Sequence, residues 1–396
     1  MKNEKKPGAG APAQQPLHGV IVLDLGQIYQ GPYCGFLLAM AGATVVKIEP
    51  PQGEPVRARR ESGLPLAMLN ANKLDVSIDL KSEAGRELFL QMIDRADVVL
   101  ENFTPGVMER LGLGSAVLTA RNPRLVYASA SGYGSWGRDR NKLAMDLTVQ
   151  AMSGAMHVTG FPDGPPVKAG PAISDFLSGT HLFGAIMTAL FARGRTGRGS
   201  VVEVAMQDTM IPALASNLQL YFENPNGQPR VGNRHGGLAM APYNTYRASD
   251  GHVAIMCVTE VHWRTLCTAM GREDLAHHPD WATHDLRCRD IDATDALVNE
   301  WTTRLTRQQI TDEAQRLRFP CAPVRDLHEM LHDAHLHERG MLRWTDHALL
   351  GRVALPHSPL RFEGIPQVPL RPEPMLGQDN ADILGKLDAA RAAAST

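Results

Sequence analysis

Cysteine is scarce in this chain. The five cysteines among 396 residues (Cys34, Cys257, Cys267, Cys288 and Cys321) form no CxxC pair and no short Cys/His framework. That argues against a disulfide scaffold or a structural zinc site, and reduced thiols in a cytoplasmic protein are the simple reading. Neither sign of charge is in excess: 40 Lys and Arg face 42 Asp and Glu, for a net charge of −2. A general nucleic-acid binder would carry a basic surplus, so no nucleic-acid partner is expected. Any bound anion must be held by local cations and backbone N–H groups. No apolar run approaches the ~18 residues of a membrane span, so no membrane partner is expected. The first 16 residues lack the apolar core of a signal peptide and are expected to form a disordered tail.

There is no GxSxG nucleophile elbow, and the β-α-β start carries no GxGxxG dinucleotide turn. The glycines at 26, 31 and 35 are spaced GxxxxGxxxG instead, ahead of Glu49. That spacing suits a helix packed closely on a sheet better than a turn around a pyrophosphate. The C-terminal histidines (His328, His332, His335, His337) fall on a polar stretch and read as a solvated face.

What is present is an alternation of short apolar runs and amphipathic segments. Residues 20–25 and 44–48 read as buried strands flanking a helix, and 97–100 and 125–129 read as further strands, with helices over 85–94 and 105–111. A β-α-β start predicts a Rossmann-like parallel sheet. Helices are expected over 144–152, 176–192 and 205–221, and a hairpin over 243–258. The expected division is a tail (1–16), a large α/β domain (17–222), a polar linker or flap (223–242), a smaller α+β domain (243–340) and a C-terminal connector (341–396) returning to the large domain.

The most informative segment runs from Gly160 to Gly184. A Pro/Gly-rich loop leads into Asp175, and an amphipathic helix follows. Asp175 reads as a helix N-cap. It also reads as a carboxylate kept ionised by a helix N-terminus and available as a nucleophile. The two readings are compatible.

Several strings resemble the class III CoA-transferases over residues 17–384. They include VIVLDLGQIYQGPYCGFLLAMAGATVVKIEPPQG, ADVVLENFTPGVMERLGLG, MDLTVQAMSGAMHVTGFPDGPP and ISDFLSGTHLFGAIMTALFARGRTGRGSVVEVAMQD. The resemblance implies an enzyme that moves CoA from an acyl-CoA to a free carboxylic acid, a small mono- or dicarboxylate. Asp175 would be its nucleophile, passing through an aspartyl anhydride and an aspartyl-CoA thioester. Gln30 would be an oxyanion donor. Tyr29, Asn72, Lys73, Asn102, Phe103 and Arg110 would line the CoA groove, with Lys73 and Arg110 at phosphates. His235, Gly236 and Gly237 would form a flap over the site. The glycine run there is shorter than in oxalate-using members, which weakens an oxalate assignment. CoA enters as substrate, and no permanent cofactor or metal is implied. An interlocked cytoplasmic homodimer is the implied assembly. Two alternatives remain: an α-methylacyl-CoA racemase-like isomerase and a catalytically silent CoA-binding protein. Racemases pair the aspartate with a histidine at the place held here by Met145, which cannot move a proton.

Overall fold

The computed structural model describes residues 14–57 and 63–383. Most of the expected N-terminal tail lies outside the described residues. Two compact units are present. The first comprises residues up to Val149, Ala172–Thr209 and residues from Asp333 on; the second comprises Gln150–Pro171 and Met210–His332.

The first unit is built on six strands: β1 (Ile21–Asp24), β2 (Thr44–Glu49), β3 (Leu74–Ser77), β4 (Val98–Glu101), β5 (Val126–Ser131) and β6 (Val201–Ala205). Their order is β3-β2-β1-β4-β5-β6, and every pairing is parallel. This is the expected Rossmann-like sheet, with strands buried on both faces because crossover helices cover them. The chain reverses its direction of travel across the sheet between β1 and β4. In such sheets the crevice beyond the carboxyl ends of those two strands is where ligands bind.

The glycines of the Gln30–Met40 helix serve close packing. A Cβ on Gly31 would lie 2.7 Å from the Gly26 Cα, and one on Gly35 would lie 2.3 Å from the Asp24 carboxylate. The Ile173–Thr196 helix packs on β5, β6 and the Gln30–Met40 helix. It is long and apolar enough to cross a membrane, although its sequence contains no uninterrupted apolar run. Its inner face, with Leu182 and Ile186 fully buried, instead joins the sheet core. Each such side chain contributes about 1.5–3 kcal/mol. The helix expected over 205–221 is broken: Met206–Met210 is followed by a 3₁₀ turn at Pro212–Leu214 and then Ala215–Glu223. Pro212 has no N–H to continue an α-helix.

In the second unit, β7 (Tyr243–Ala248) and β8 (Gly251–Met256) form the expected hairpin, and β9 (Cys321–Pro323) joins it. Helices pack around Trp263, Val298 and Ile310. The 223–242 segment lies within this unit rather than acting as a free linker. Gly232 N–H donates to the Gly160 carbonyl at 3.0 Å, and the Arg230 guanidinium to the His157 carbonyl at 3.2 Å.

The C-terminal connector is more structured than expected. It opens with an antiparallel hairpin, β10 (Leu342–His347) and β11 (Gly351–Pro356), in the first unit. It then runs beside β3, where Asp379 accepts the Asp75 N–H at 2.8 Å and Asn380 accepts the Ser77 N–H at 2.9 Å.

Candidate active site

The loop leaving β1 is pinned at five consecutive backbone groups. Gly26 N–H donates to Asp24 Oδ1 at 2.7 Å, and Lys47 Nζ donates to the Gly26 carbonyl at 2.9 Å. Gln27 is held from both sides by Asn102, whose Oδ1 accepts its N–H at 2.7 Å and whose Nδ2 donates to its carbonyl at 3.0 Å. Asn102 follows β4, so these bonds tie the two sides of the crevice together. Ile28 N–H then donates to Glu54 Oε2 at 2.9 Å. Ile28 has φ +66°, a left-handed conformation that a β-branched residue rarely adopts. The surrounding bonds over-determine it, as strained backbone at functional sites requires.

This loop delivers Gln30, the first residue of its helix. Gln30 is 3% exposed, and its Nε2 has no hydrogen-bond partner among the described residues. An unsatisfied buried donor costs about 1–3 kcal/mol, so its retention needs a reason.

Asp175 approaches from the opposite side. It is the third residue of the Ile173–Thr196 helix, not its cap: Ala172 holds the N-cap position and supplies no side-chain bond. The capping is done across the chain by Asp146, whose Oδ1 accepts from Ser174 N–H at 3.0 Å and from Ser174 Oγ at 2.8 Å. Gly179, one turn beyond Asp175 on the same face, sets the approach of the two helices. A Cβ there would lie 2.7 Å from the Gln30 carbonyl. Phe176 packs edge-on to Tyr33 at 4.8 Å between centroids and lies 6.1 Å from the Tyr29 ring.

The result is a cavity of about 150 Å³ lined by Gln27, Gln30, Asn102, Arg140, Met145 and Asp175, among others. Burial pushes the Asp175 carboxyl up to about 7, and the nearby Asp146 carboxylate adds to the shift. The sequence reading of a carboxylate kept ionised by its helix is therefore corrected. The helix N-terminus favours the anion, but desolvation outweighs it. A second cavity of about 450 Å³ adjoins beyond the carboxyl ends of β1 to β4 and shares Gln27 and Phe103 with the first. Its walls are Ile48, Pro50, Pro51, Ile78, Val107 and Leu111, with Lys81 also lining it.

Two expected phosphate or groove residues are elsewhere. Lys73 is buried, and its ammonium donates to Asp24 Oδ2 at 2.7 Å, the Pro32 carbonyl at 2.9 Å and Asn70 Oδ1 at 2.9 Å. All three protons are engaged, so it has none left for a phosphate. Asn72 is a backbone clamp. It donates to the Pro369 carbonyl at 2.8 Å and accepts the Arg371 N–H at 2.8 Å, fixing the C-terminal connector. Arg110 is exposed at the end of the Val107–Arg110 helix, whose Val107 lines the larger cavity. His235, Gly236 and Gly237 belong to the second unit. There His235 Nδ1 accepts the Gly237 N–H at 3.2 Å, and its ring meets Tyr243 edge-on at 5.6 Å.

Sequence reasoning missed Lys81 and Glu54. Lys81 follows β3, a strand too short and too polar to be read from its own four residues, LDVS. Recognising β3 would have placed Lys81 beyond the carboxyl end of a sheet strand. Glu54 lies in a Pro/Gly-rich turn and carries no signal of its role.

A family model described as CoA-transferase family III matches residues 17–380. The chain belongs to the family III CoA-transferases. Among its relatives is the succinyl-CoA:mesaconate CoA-transferase of Haloarcula hispanica, 34% identical over 92% of this chain and 94% of that protein. The acetyl-CoA:oxalate CoA-transferase of Acetobacter aceti is 34% identical over 93% of this chain and 95% of its own length. A crystal structure of a CaiB/BaiF family protein from Brucella suis superposes with a TM-score of 0.82 at 31% identity, covering 95% of this chain and all of that one. Family membership makes this family III CoA-transferase an acyl-CoA:carboxylate CoA-transferase, with CoA thioesters as substrates. In this family member Met145 lines the Asp175 cavity. Its thioether has no proton to exchange at an α-carbon.

Proposed function

We propose that Asp175 is the covalent nucleophile of the transfer. The observation that carries this reading is the cavity that places Asp175 together with Gln30, whose buried amide N–H lacks a partner among the described residues. In its ionised form the Asp175 carboxylate attacks the thioester carbonyl. The carbonyl oxygen becomes an oxyanion, which the free Gln30 Nε2 is suited to receive. Collapse expels CoA thiolate and leaves a mixed anhydride between Asp175 and the acyl group. The thiolate attacks the Asp175 carbonyl carbon, releasing the donor acid and forming an aspartyl-CoA thioester. The acceptor carboxylate attacks the same carbon and expels the thiolate, giving a second anhydride. Thiolate attack on the acceptor's carbonyl then yields the new acyl-CoA and restores the Asp175 carboxylate.

The larger cavity suits the nucleotide end of CoA. Its Ile, Pro and Leu walls match a planar base, and Lys81 supplies a cation for phosphate in place of Lys73. Gln27 and Phe103, shared by both cavities, would bound the path of the pantetheine arm toward Asp175. Arg110, on the helix whose Val107 lines this cavity, is proposed as a second cation for phosphate. A cytoplasmic homodimer is part of the same proposal.

The test is covalent trapping. Enzyme mixed with acyl-CoA in the absence of acceptor should carry an adduct that hydroxylamine converts to a hydroxamate at Asp175. Asp175→Asn should fold and lose transfer by about three orders of magnitude or more, since a neutral amide is a far poorer nucleophile. An adduct at another residue, or near-normal turnover by folded Asp175→Asn, would sink the proposal.

A further inference from the structure

We infer that Arg140 forms a carboxylate-binding subsite that selects dicarboxylic acids for the Asp175 cavity. The inference rests on the proposed transfer chemistry and adds the residue that holds the acid's second carboxylate. Two cations line the cavity, Arg140 and Lys142. Lys142 is paired with Asp139 at 3.1 Å. Arg140 has no ion-pair or hydrogen-bond partner among the described residues, and its side chain is exposed.

Arg140 also lines a neighbouring cavity of about 400 Å³ whose other charged walls are Glu101, Glu109 and Glu203. Among the described residues none of these carboxylates is paired with it. Glu203 is bonded instead to the backbone N–H and hydroxyl of Ser135, and Glu101 to the Phe103 N–H and the Tyr127 hydroxyl. The guanidinium therefore keeps its five donors free, in the planar fork that matches a carboxylate.

The chemistry of the site makes such a cation useful. Donor and acceptor acids are anions that must come beside a second anion, Asp175, in a partly desolvated cavity. With a single carboxylate, a cation binding it would also hold back the oxygen that attacks. A diacid separates the two roles: one carboxylate reacts at Asp175 while the other is held at Arg140. Met145 and Met206 also line the cavity and offer apolar contact to the methylenes between the two ends. The small volume of about 150 Å³ favours a short chain.

The experiment compares a four-carbon diacid, succinate, with the four-carbon monoacid, butyrate, as acceptors from one fixed acyl-CoA donor. Wild-type enzyme should prefer succinate in kcat/KM. In Arg140→Ala, kcat/KM for succinate should fall about 10- to 150-fold further than for butyrate, the worth of a hydrogen bond to a charged group. Arg140→Lys, which keeps the charge and loses the fork, should retain an intermediate preference. Equal losses for both acids, accompanied by a raised KM for acyl-CoA, would assign Arg140 to CoA and overturn the inference. So would a wild-type enzyme with no preference, or an Arg140→Ala enzyme with an unchanged one. Absence of CoA exchange with every acid in wild type would instead mark failure of the underlying transfer reading.

Discussion

Glu54 holds Ile28 by its backbone, its Oε2 accepting the Ile28 N–H at 2.9 Å while Ile28 sits at φ +66°. The other carboxylate oxygen meets Lys47 Nζ at 3.0 Å, and both side chains are buried. Lys47 in turn holds the Gly26 carbonyl. One ion pair thus fixes two points of the strained loop that delivers Gln30 to the Asp175 cavity. A buried pair of this kind is weak evidence for stability but a good device for specifying one conformation.

Glu54→Gln should therefore lower kcat more than it changes KM for acyl-CoA, because the loop would place the Gln30 donor less accurately. It should also destabilise the fold by about 3 kcal/mol, since Lys47 loses its nearest counter-charge. A double-mutant cycle separates the two effects. In a Gln30→Ala background, Glu54→Gln should cost little further in kcat while still lowering the Tm. Additive losses in kcat would show that Glu54 does not act through Gln30.

The raised Asp175 carboxyl predicts a pH dependence. The reactive form is the carboxylate, so kcat/KM for acyl-CoA should be flat above about pH 7 and fall tenfold per unit below it. Asp146 contributes to the shift by its charge, after burial. Asp146→Asn should move the acid limb to lower pH, by less than the whole displacement because burial remains. An acid limb centred near pH 4 in wild type would contradict the burial of Asp175.

The same shift affects stability. The folded state holds a proton on Asp175 more tightly than the unfolded chain, whose carboxyl titrates near 3.9. Stability is therefore present in full below about pH 4 and lost as pH rises toward about 7, the folded value. At pH 8 the buried anion is a burden, and Asp175→Asn should be more stable than wild type. The gain should be on the order of 1–2 kcal/mol after allowing for solvent screening. Thermal melts at pH 5 and pH 8 read this directly: the advantage of Asp175→Asn should grow with pH.

The reassignment of cations around the larger cavity gives opposite expectations for two lysines. Lys73→Met leaves Asp24 buried without its partner and should destabilise the fold by about 3–5 kcal/mol. Lys81→Ala, at an exposed position, should change the stability by less than about 1 kcal/mol and raise KM for acyl-CoA several-fold. A Lys73→Met enzyme of normal Tm with a raised KM would restore Lys73 to the CoA groove.

Much of this was legible in the residues alone. The apolar runs at β1, β2, β4 and β5 and the periodic segments between them suffice for a parallel α/β sheet, because strands buried on both faces must be continuously apolar. Strands β3 and β6 were not legible. LDVS is only four residues long with a central aspartate, and VVEVA alternates, so each is a strand only because a neighbour pairs with it. The glycine spacing already pointed away from a dinucleotide turn, and Asp175 stood out at the head of a long helix. What tertiary structure decided was the fate of the charged and polar side chains. Lys73 bonds Asp24, 49 residues away; Glu54 bonds Ile28, 26 away; and Asp146 caps Ser174, 28 away. A lysine reads the same in sequence whether it faces a phosphate or a buried aspartate. The balance between desolvation and pairing that distinguishes the two depends on neighbours that only the folded chain brings together.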